Sequence, residues 1–123
     1  MLALLKFLIR NSRQQTAVPM SEPFIIYCPF KKLNNAKETA NLLLKASLIK
    51  CANILPRATS LYAWQGEIKE ESEYIAIFKT TEKNLKQAEK LIKENHQYEV
   101  PAILNISITA NPDFLDYLNN IKI

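Results

Sequence analysis

The side chains best suited to bind a metal ion in this sequence are one histidine and a cysteine. His96 is the only histidine, and imidazole is a good ligand for Cu(II) and Zn(II) near neutral pH. Cys28 could supply a thiolate, which Cu(I) favours. Since one histidine cannot make a tight site, copper or another divalent cation would be weakly bound unless a neighbouring chain adds ligands. The alternatives are a His96 that hydrogen-bonds at a helix end and a Cys28 that packs in the core.

A second group of candidate residues is aromatic and polar. Tyr62, Trp64 and Tyr98 lie near the ends of predicted strands, and aromatic residues are enriched at subunit contacts. They could therefore form interface core, or they could line a cleft between subunits that binds a small molecule. In such a cleft the polar contacts would come from four charged residues: Glu67, Glu73, Lys79 and Glu99. An ion pair with a neighbouring chain is the alternative for Glu73 and Lys79, which share a strand face.

Catalytic groupings are not evident in the sequence. There is no second histidine and no nucleophile at a recognisable spacing from a base. A single glycine excludes the Gly-rich loops that cradle phosphates. Cys28 and Cys51 form no CxxC pair, which excludes a closed structural zinc site built by this chain alone. We therefore expect a protein that is not an enzyme.

The positive charge of the chain is concentrated at its start. Of the net charge of +4, residues 1–20 contribute Lys6, Arg10 and Arg13 and no acid. The other residues hold 13 of the 16 basic residues against all 12 acidic ones, a balance of +1. Nucleic-acid binding needs several clustered cations, so we expect no nucleic-acid partner.

The first twenty residues are predicted to be an extension, and residues 21–123 a single domain. The apolar run from Met1 to Ile9 is interrupted by Lys6 and is too short to span a bilayer, so we expect no stable membrane insertion. An acid-free start with arginines resembles a weak targeting segment or an interfacial anchor. The other interpretation is that Met20 is the true start. For the domain itself we expect a cytoplasmic location.

The hydrophobic pattern predicts four strands. Apolar runs place them at residues 24–28, 52–64, 68–80 and 102–108. Pro56 should interrupt the second strand. The only glycine, Gly66, follows Gln65 where a hairpin between the second and third strands needs a turn.

Three helices are predicted between and after these strands. The first is capped by Asn35, with Glu38 completing a capping box, and ends near Leu48. The second is capped by Thr80 or Thr81 and ends near Asn95. The third is short and begins at Asn111-Pro112.

This order is β-α-β-β-α-β with a terminal helix, an α+β arrangement typical of ferredoxin-like domains. The four strands should form one antiparallel sheet with two helices on one face and the short helix at the C-terminus. The strands are apolar on both faces, whereas two helices cover only one. The pattern therefore predicts self-association through the uncovered face.

Several segments together resemble the CutA divalent-cation tolerance proteins. The matching residues are Cys51-Ala52-Asn53-Ile54 with Pro56, Ser60-x-Tyr62-x-Trp64-Gln65-Gly66-Glu67-Ile68, Glu73, Lys79-Thr80 and His96-x-Tyr98-Glu99-Val100-Pro101. The resemblance covers about residues 24–118. It implies a homotrimer and a role in tolerance of copper or other divalent metals, with the metal ion as partner. Because the family is similar to PII signal-transduction proteins, the alternative is a trimeric sensor or scaffold that binds a small molecule or protein partner between its subunits.

Overall fold

A computed structural model describes residues 20–121 of the chain. Four strands and three helices follow one another in the predicted order. Their bounds are β1 Pro23–Phe30, α1 Leu33–Lys45, β2 Cys51–Trp64, β3 Glu67–Thr81, α2 Leu85–Asn95, β4 Leu104–Ser107 and α3 Pro112–Leu118. The single turn of 3-10 helix at Glu82–Asn84 leads into α2. The interpretations made for residues 1–19 lie outside the described residues.

The four strands form one sheet in the order β2-β3-β1-β4, with every neighbouring pair antiparallel. The helices α1 and α2 pack on one face of this sheet. The core lies between the two layers and contains Ile26, Cys28, Phe30, Ala36, Ala40, Leu43, Ile49, Ala76, Phe78, Ala88 and Ile92. This arrangement confirms the predicted α+β, ferredoxin-like fold.

The opposite face of the sheet carries apolar side chains without a helical layer. The register places Tyr27, Ile77 and Leu104 on this face, since they alternate with core residues along their strands. Leu55, Leu104 and Ile106 are among the exposed large apolar residues. We call this surface the helix-free face.

The β2–β3 hairpin has an irregularity and a tight turn at the predicted places. Pairing shifts between Leu55 and Ala58, so that two residues of β2 oppose one residue of β3. Within this bulge Arg57 has a φ of 50°. At the tip, Gln65 and Gly66 both have positive φ, 50° and 80°, as a type I′ turn requires.

The predicted boundaries of α1 were wrong at both ends. Asn35 is not the N-cap, which is Lys32. Instead Asn35 lies buried in the first turn. The helix ends at Lys45 rather than near Leu48 because Ser47 adopts a left-handed φ of 58°. The Leu48 N–H then donates to the Leu43 carbonyl at 2.9 Å, as in a Schellman motif.

The later boundaries follow the predictions more closely. Thr81 precedes the 3-10 turn, without a side-chain capping bond, whereas Asn84 stands at the N-cap of α2. Strand β4 is shorter than predicted because pairing with β1 begins only at Leu104. Asn111 is at the N-cap position of α3, although its side chain makes no capping bond. Among the helices of the described residues, none has the length and apolar character to cross a membrane.

Candidate functional site

A cleft of about 420 Å³ opens between the outer half of the β2–β3 hairpin and the segment that follows α2. The hairpin contributes Ser60, Leu61, Tyr62, Trp64 and Glu73, β1 contributes Pro29, and the segment after α2 contributes Tyr98, Glu99, Val100 and Ala102. Five of the predicted cleft residues are thus brought together within one chain. They are Tyr62, Trp64, Glu73, Tyr98 and Glu99.

A short hydrogen bond joins the two sides of this cleft. The Tyr98 hydroxyl donates to Oε2 of Glu73 at 2.6 Å. Glu73 is only 9% exposed, and hydrogen bonds to a charged acceptor are stronger than neutral ones. Burial, followed by the bond to Glu73 and its charge, raises the pKa of Tyr98 above its usual range. The phenol is therefore a persistent donor at neutral pH.

His96 supports this arrangement from behind. Its Nδ1 accepts a hydrogen bond from the backbone N–H of Tyr98 at 3.0 Å. The Nδ1 atom is thus unprotonated in the neutral ring, and Nε2 donates to the Pro29 carbonyl at 2.8 Å. The ring stacks on Phe30 with centroids 4.4 Å apart and an interplanar angle of 18°.

Burial lowers the pKa of His96, while the bond to Pro29 and the charge of Glu73 act in the opposite direction. The neutral ring is therefore favoured near neutral pH. Both of its nitrogens are engaged inside the chain, so a metal ion at His96 would have to replace one of these hydrogen bonds.

The hairpin supplies the aromatic wall of the cleft. Tyr62 and Trp64 alternate with Leu61 and Ala63 along β2 and so lie on one face of the strand. Their exposed fractions are 39% and 37%. Partial burial and the neighbouring carboxylate of Glu71 raise the pKa of Tyr62.

Besides His96, which stands behind the cleft, three residues predicted from the sequence lie away from its lining. Cys28 is fully buried in the core between sheet and helices, and burial raises the pKa of its thiol to about 12. Glu67, next to the hairpin tip, pairs with Lys69 at 3.0 Å. Lys79 lies on β3 with its Nζ 5.8 Å from the centre of the Phe114 ring.

In the described part of the chain, Cys28 and His96 belong to no cluster of metal ligands. Among residues 20–121, no group of three or more His, Cys, Asp or Glu side chains is placed to hold a metal ion. The metal-ligand role of Cys28 and His96 stays a prediction.

Two groups that hold His96 in place were not predicted from the sequence. The Pro29 carbonyl accepts a hydrogen bond from Nε2 of His96. Every residue has a backbone carbonyl, so the sequence does not indicate which one acts as this acceptor. Phe30 supports the imidazole by stacking. It lies one residue beyond Pro29, which closes the predicted first strand, and an apolar run extended past Pro29 would have included it.

The arrangement is suited to binding. A fixed phenol–carboxylate pair, an exposed second carboxylate from Glu99 and two aromatic rings surround an apolar floor. Such a mixture of apolar walls and few converging polar groups is typical of small-ligand sites.

Comparisons with known proteins identify relatives of this chain. The family model described as CutA1 divalent ion tolerance protein matches residues 24–121. A divalent-cation tolerance protein CutA from Pyrococcus horikoshii is 40% identical over 95 residues, covering 76% of this chain and 92% of that protein. The chloroplastic protein CutA of Arabidopsis thaliana is 30% identical over 113 residues, covering 91% of this chain. The match spans 60% of the length of the Arabidopsis protein.

Solved structures show the same fold. CutA1 from Oryza sativa superposes with a TM-score of 0.79 at 28% identity, covering 82% of this chain and 94% of that chain. The CutA1 protein from Ehrlichia chaffeensis gives a TM-score of 0.78 at 34% identity, covering 82% of this chain and 95% of that chain. Because the family model covers nearly the whole folded domain, this chain belongs to the CutA1 divalent ion tolerance protein family.

Proposed function

We propose that this protein contributes to divalent-cation tolerance as a homotrimer that binds copper or a related divalent ion weakly, without catalysing a reaction. One observation carries the proposal: the cleft presents the carboxylates of Glu73 and Glu99 in a chain whose relatives are named divalent-cation tolerance proteins. Carboxylate oxygens and imidazole nitrogens are ordinary ligands for divalent ions.

Exposed apolar surface supports the oligomeric part of the proposal. On the helix-free face, Leu55 and Leu104 are each 50% exposed. In the outer hairpin, Leu61 and Ile68 are 67% and 84% exposed. Monomers rarely expose contiguous apolar patches of this kind, so copies of the chain would cover them.

The geometry also explains why binding would be weak and would depend on more than one chain. The ring nitrogens of His96 already hold the Pro29 carbonyl and the Tyr98 N–H. The free energy of metal binding would then be only the difference between the metal–imidazole bond and the hydrogen bond that it replaces. Glu99 is exposed, and among the described residues no group of three potential ligands is placed to hold an ion. A neighbouring chain would therefore have to complete the ligand set.

Calorimetric titration of the metal-free oligomer with Cu(II) and Zn(II) tests this function, together with light scattering for the subunit number. We expect a trimer and saturable binding at a fixed ratio per chain that weakens in His96→Ala and Glu99→Gln. Glu38→Gln, an exposed change on α1, is the matched control. A monomer, or the absence of saturable binding, would contradict the proposal.

A second candidate function is a trimeric sensor or scaffold, similar to PII proteins, that binds a small molecule or protein partner in clefts between subunits. The cleft of about 420 Å³ within each chain, with its aromatic wall, supports the ligand-binding part of this candidate. Thermal stabilisation of chelator-treated protein by a metabolite panel tests this candidate. Selective stabilisation without any metal effect would favour it over the first.

For location, we propose the cytoplasm. Both cysteines of the described domain, Cys28 and Cys51, are free thiols, and reducing compartments preserve thiols. Cell fractionation with an antibody against the domain tests this, and recovery with a membrane or organelle fraction would contradict it.

A further inference from the structure

The lining of the cleft carries negative charge and no positive charge. Its only ionisable carboxyl groups are those of Glu73 and Glu99, and neither lysine nor arginine is among its lining residues. A site built for a phosphate or a carboxylate ligand would present basic side chains or a helix N-terminus. The charge of the lining therefore favours a cationic ligand.

Glu73 is the more informative of the two acids. It is 9% exposed, and its hydrogen bond comes from the neutral phenol of Tyr98. Within residues 20–121, no ion pair involves Glu73. His96 experiences the charge of Glu73, but burial acts against its protonation. A buried carboxylate without a counter-charge is costly, and a bound cation would remove that cost.

The rest of the lining distinguishes an organic cation from a bare metal ion. Trp64, Tyr62 and Tyr98 surround the carboxylates with aromatic surface, and ammonium groups are attracted to the faces of such rings. A small metal ion would leave most of a volume of about 420 Å³ unfilled.

We propose that the cleft binds a small organic cation, with an ammonium group at the Glu73 carboxylate and carbon substituents against Trp64 and Tyr62. This inference rests on the second candidate function above and assigns the chemical class of its ligand. The same positive charge could also come from a lysine or arginine of a second copy, and the experiment separates the two sources.

Trp64 makes the test direct. It is the only tryptophan of the sequence, so the intrinsic tryptophan emission of the protein reports on the cleft. Metal-free oligomer, kept in chelator, is titrated with choline, with its uncharged carbon isostere dimethylbutanol, and with the anion dimethylbutanoate. We expect a saturable change in emission with choline, and binding at least about tenfold weaker for the isostere and the anion.

Two variants locate the binding group. Glu73→Gln should weaken choline binding by about tenfold or more, whereas Glu38→Gln should leave it unchanged. Should Glu73→Gln fail to fold, Glu99→Gln provides the same test at an exposed position, with a smaller expected loss. Light scattering of each variant accompanies the titrations.

Each outcome decides the proposal. Preference for choline, lost in the cleft variants, supports it. Equal binding of the three probes, or preference for the anion, overturns the cationic class but leaves a small-molecule cleft in place. No binding of any probe, with dissociation of the oligomer in Glu73→Gln, overturns it in favour of a cation from a second copy. No binding without dissociation overturns both this inference and the cleft function, while the metal titration stands as a separate result.

Discussion

The side-chain amide of Asn35 donates a hydrogen bond to the backbone carbonyl of Asn95 at 2.9 Å. This bond ties the first turn of α1 to the last residue of α2, 60 positions further along the chain. Because His96 follows immediately, Asn35 fixes the point from which the cleft segment departs. The site is therefore anchored in the helical layer as well as in the sheet.

Loss of this anchor should be measurable. We expect Asn35→Ala to lower the free energy of unfolding by about 1–2 kcal/mol, because the partly buried Asn95 carbonyl loses its donor. Asn34→Ala, at the exposed neighbouring position, should change it by less than about 0.5 kcal/mol. Urea unfolding at constant protein concentration provides the comparison, and equal effects of the two variants would contradict the anchoring role.

The phenol–carboxylate bond in the cleft should also contribute to stability. Tyr98→Phe leaves the buried Glu73 carboxylate without its donor, and we expect a loss of about 1–3 kcal/mol in the free energy of unfolding. Tyr74→Phe is the matched control, since the Tyr74 hydroxyl has no hydrogen-bond partner among the described residues. If both variants unfold at the same urea concentration, the Tyr98 bond carries no net stability.

His96 should make folding stability depend on pH in a defined direction. Burial lowers its pKa below the ordinary histidine value of 6.5, so the unfolded chain binds the proton more readily than the folded one. The contribution of His96 to the free energy of unfolding is then complete above about pH 6.5, and it is lost as the pH falls toward the lower pKa of the folded state. The single imidazole can be followed by proton NMR without assignment, and we expect a titration midpoint below 6.5. A midpoint above that value would contradict this environment, and His96→Gln should flatten the acid limb of stability.

Two substitutions at the hairpin tip should change the stability of the fold in opposite directions. A Cβ at Gly66 would meet no atom within 4 Å, so Gly66→Ala costs only the strain of a φ of 80°, about 1 kcal/mol. Gln65→Asn should instead raise stability by a few tenths of a kcal/mol, because asparagine tolerates the left-handed region better. Thermal unfolding of both variants checks the two signs, and a stabilising Gly66→Ala would contradict the turn geometry.

The two thiols should differ in reactivity. A pKa of about 12 against an ordinary thiol value of 9.0 leaves Cys28 with about a thousandfold less thiolate near neutral pH, and its burial denies access to reagents. We expect a disulfide reagent to modify Cys28 in Cys51→Ala only on unfolding. Cys51 in Cys28→Ala should react faster, since it is only half-buried. Rapid modification of native Cys28 would contradict its place in the core.

The sequence predicted the elements that depend on local chemistry. The lone glycine at Gly66 predicted the hairpin tip, Pro56 predicted the interruption of β2, and continuous apolar runs predicted four strands. The short motifs around Trp64 and Tyr98 also indicated which residues lie together in the cleft. In each case the type of the residue restricts either the backbone conformation it can adopt or the surroundings in which it is stable.

Features that depend on tertiary contacts could not be predicted in this way. Asparagine is a common helix cap, yet the side-chain amide of Asn35 donates to the Asn95 carbonyl, which only folding brings near. Leu48 continues the helical spacing of apolar residues, but it reaches the core after the left-handed turn at Ser47. The engagement of both His96 nitrogens depends on the Pro29 carbonyl and the Tyr98 N–H, which carry no residue-specific signal.

The bulge in β2 determines on which face of the sheet the aromatic wall lies. Before it, odd-numbered residues such as Leu55 lie on the helix-free face, opposite Ile75; after it, the even-numbered Tyr62 and Trp64 do. One extra residue thus inverts the parity of the strand. The bulge absorbs that residue, and the pairing with β3 keeps both rings on the helix-free face. Deleting Arg57 would leave Pro56 alone opposite Tyr74 and give a regular ladder in which Tyr62 and Trp64 keep their partners. If Arg57 instead paired with Glu73, both rings would turn to the helical side of the sheet, so the aromatic wall depends on Arg57 staying out of the ladder.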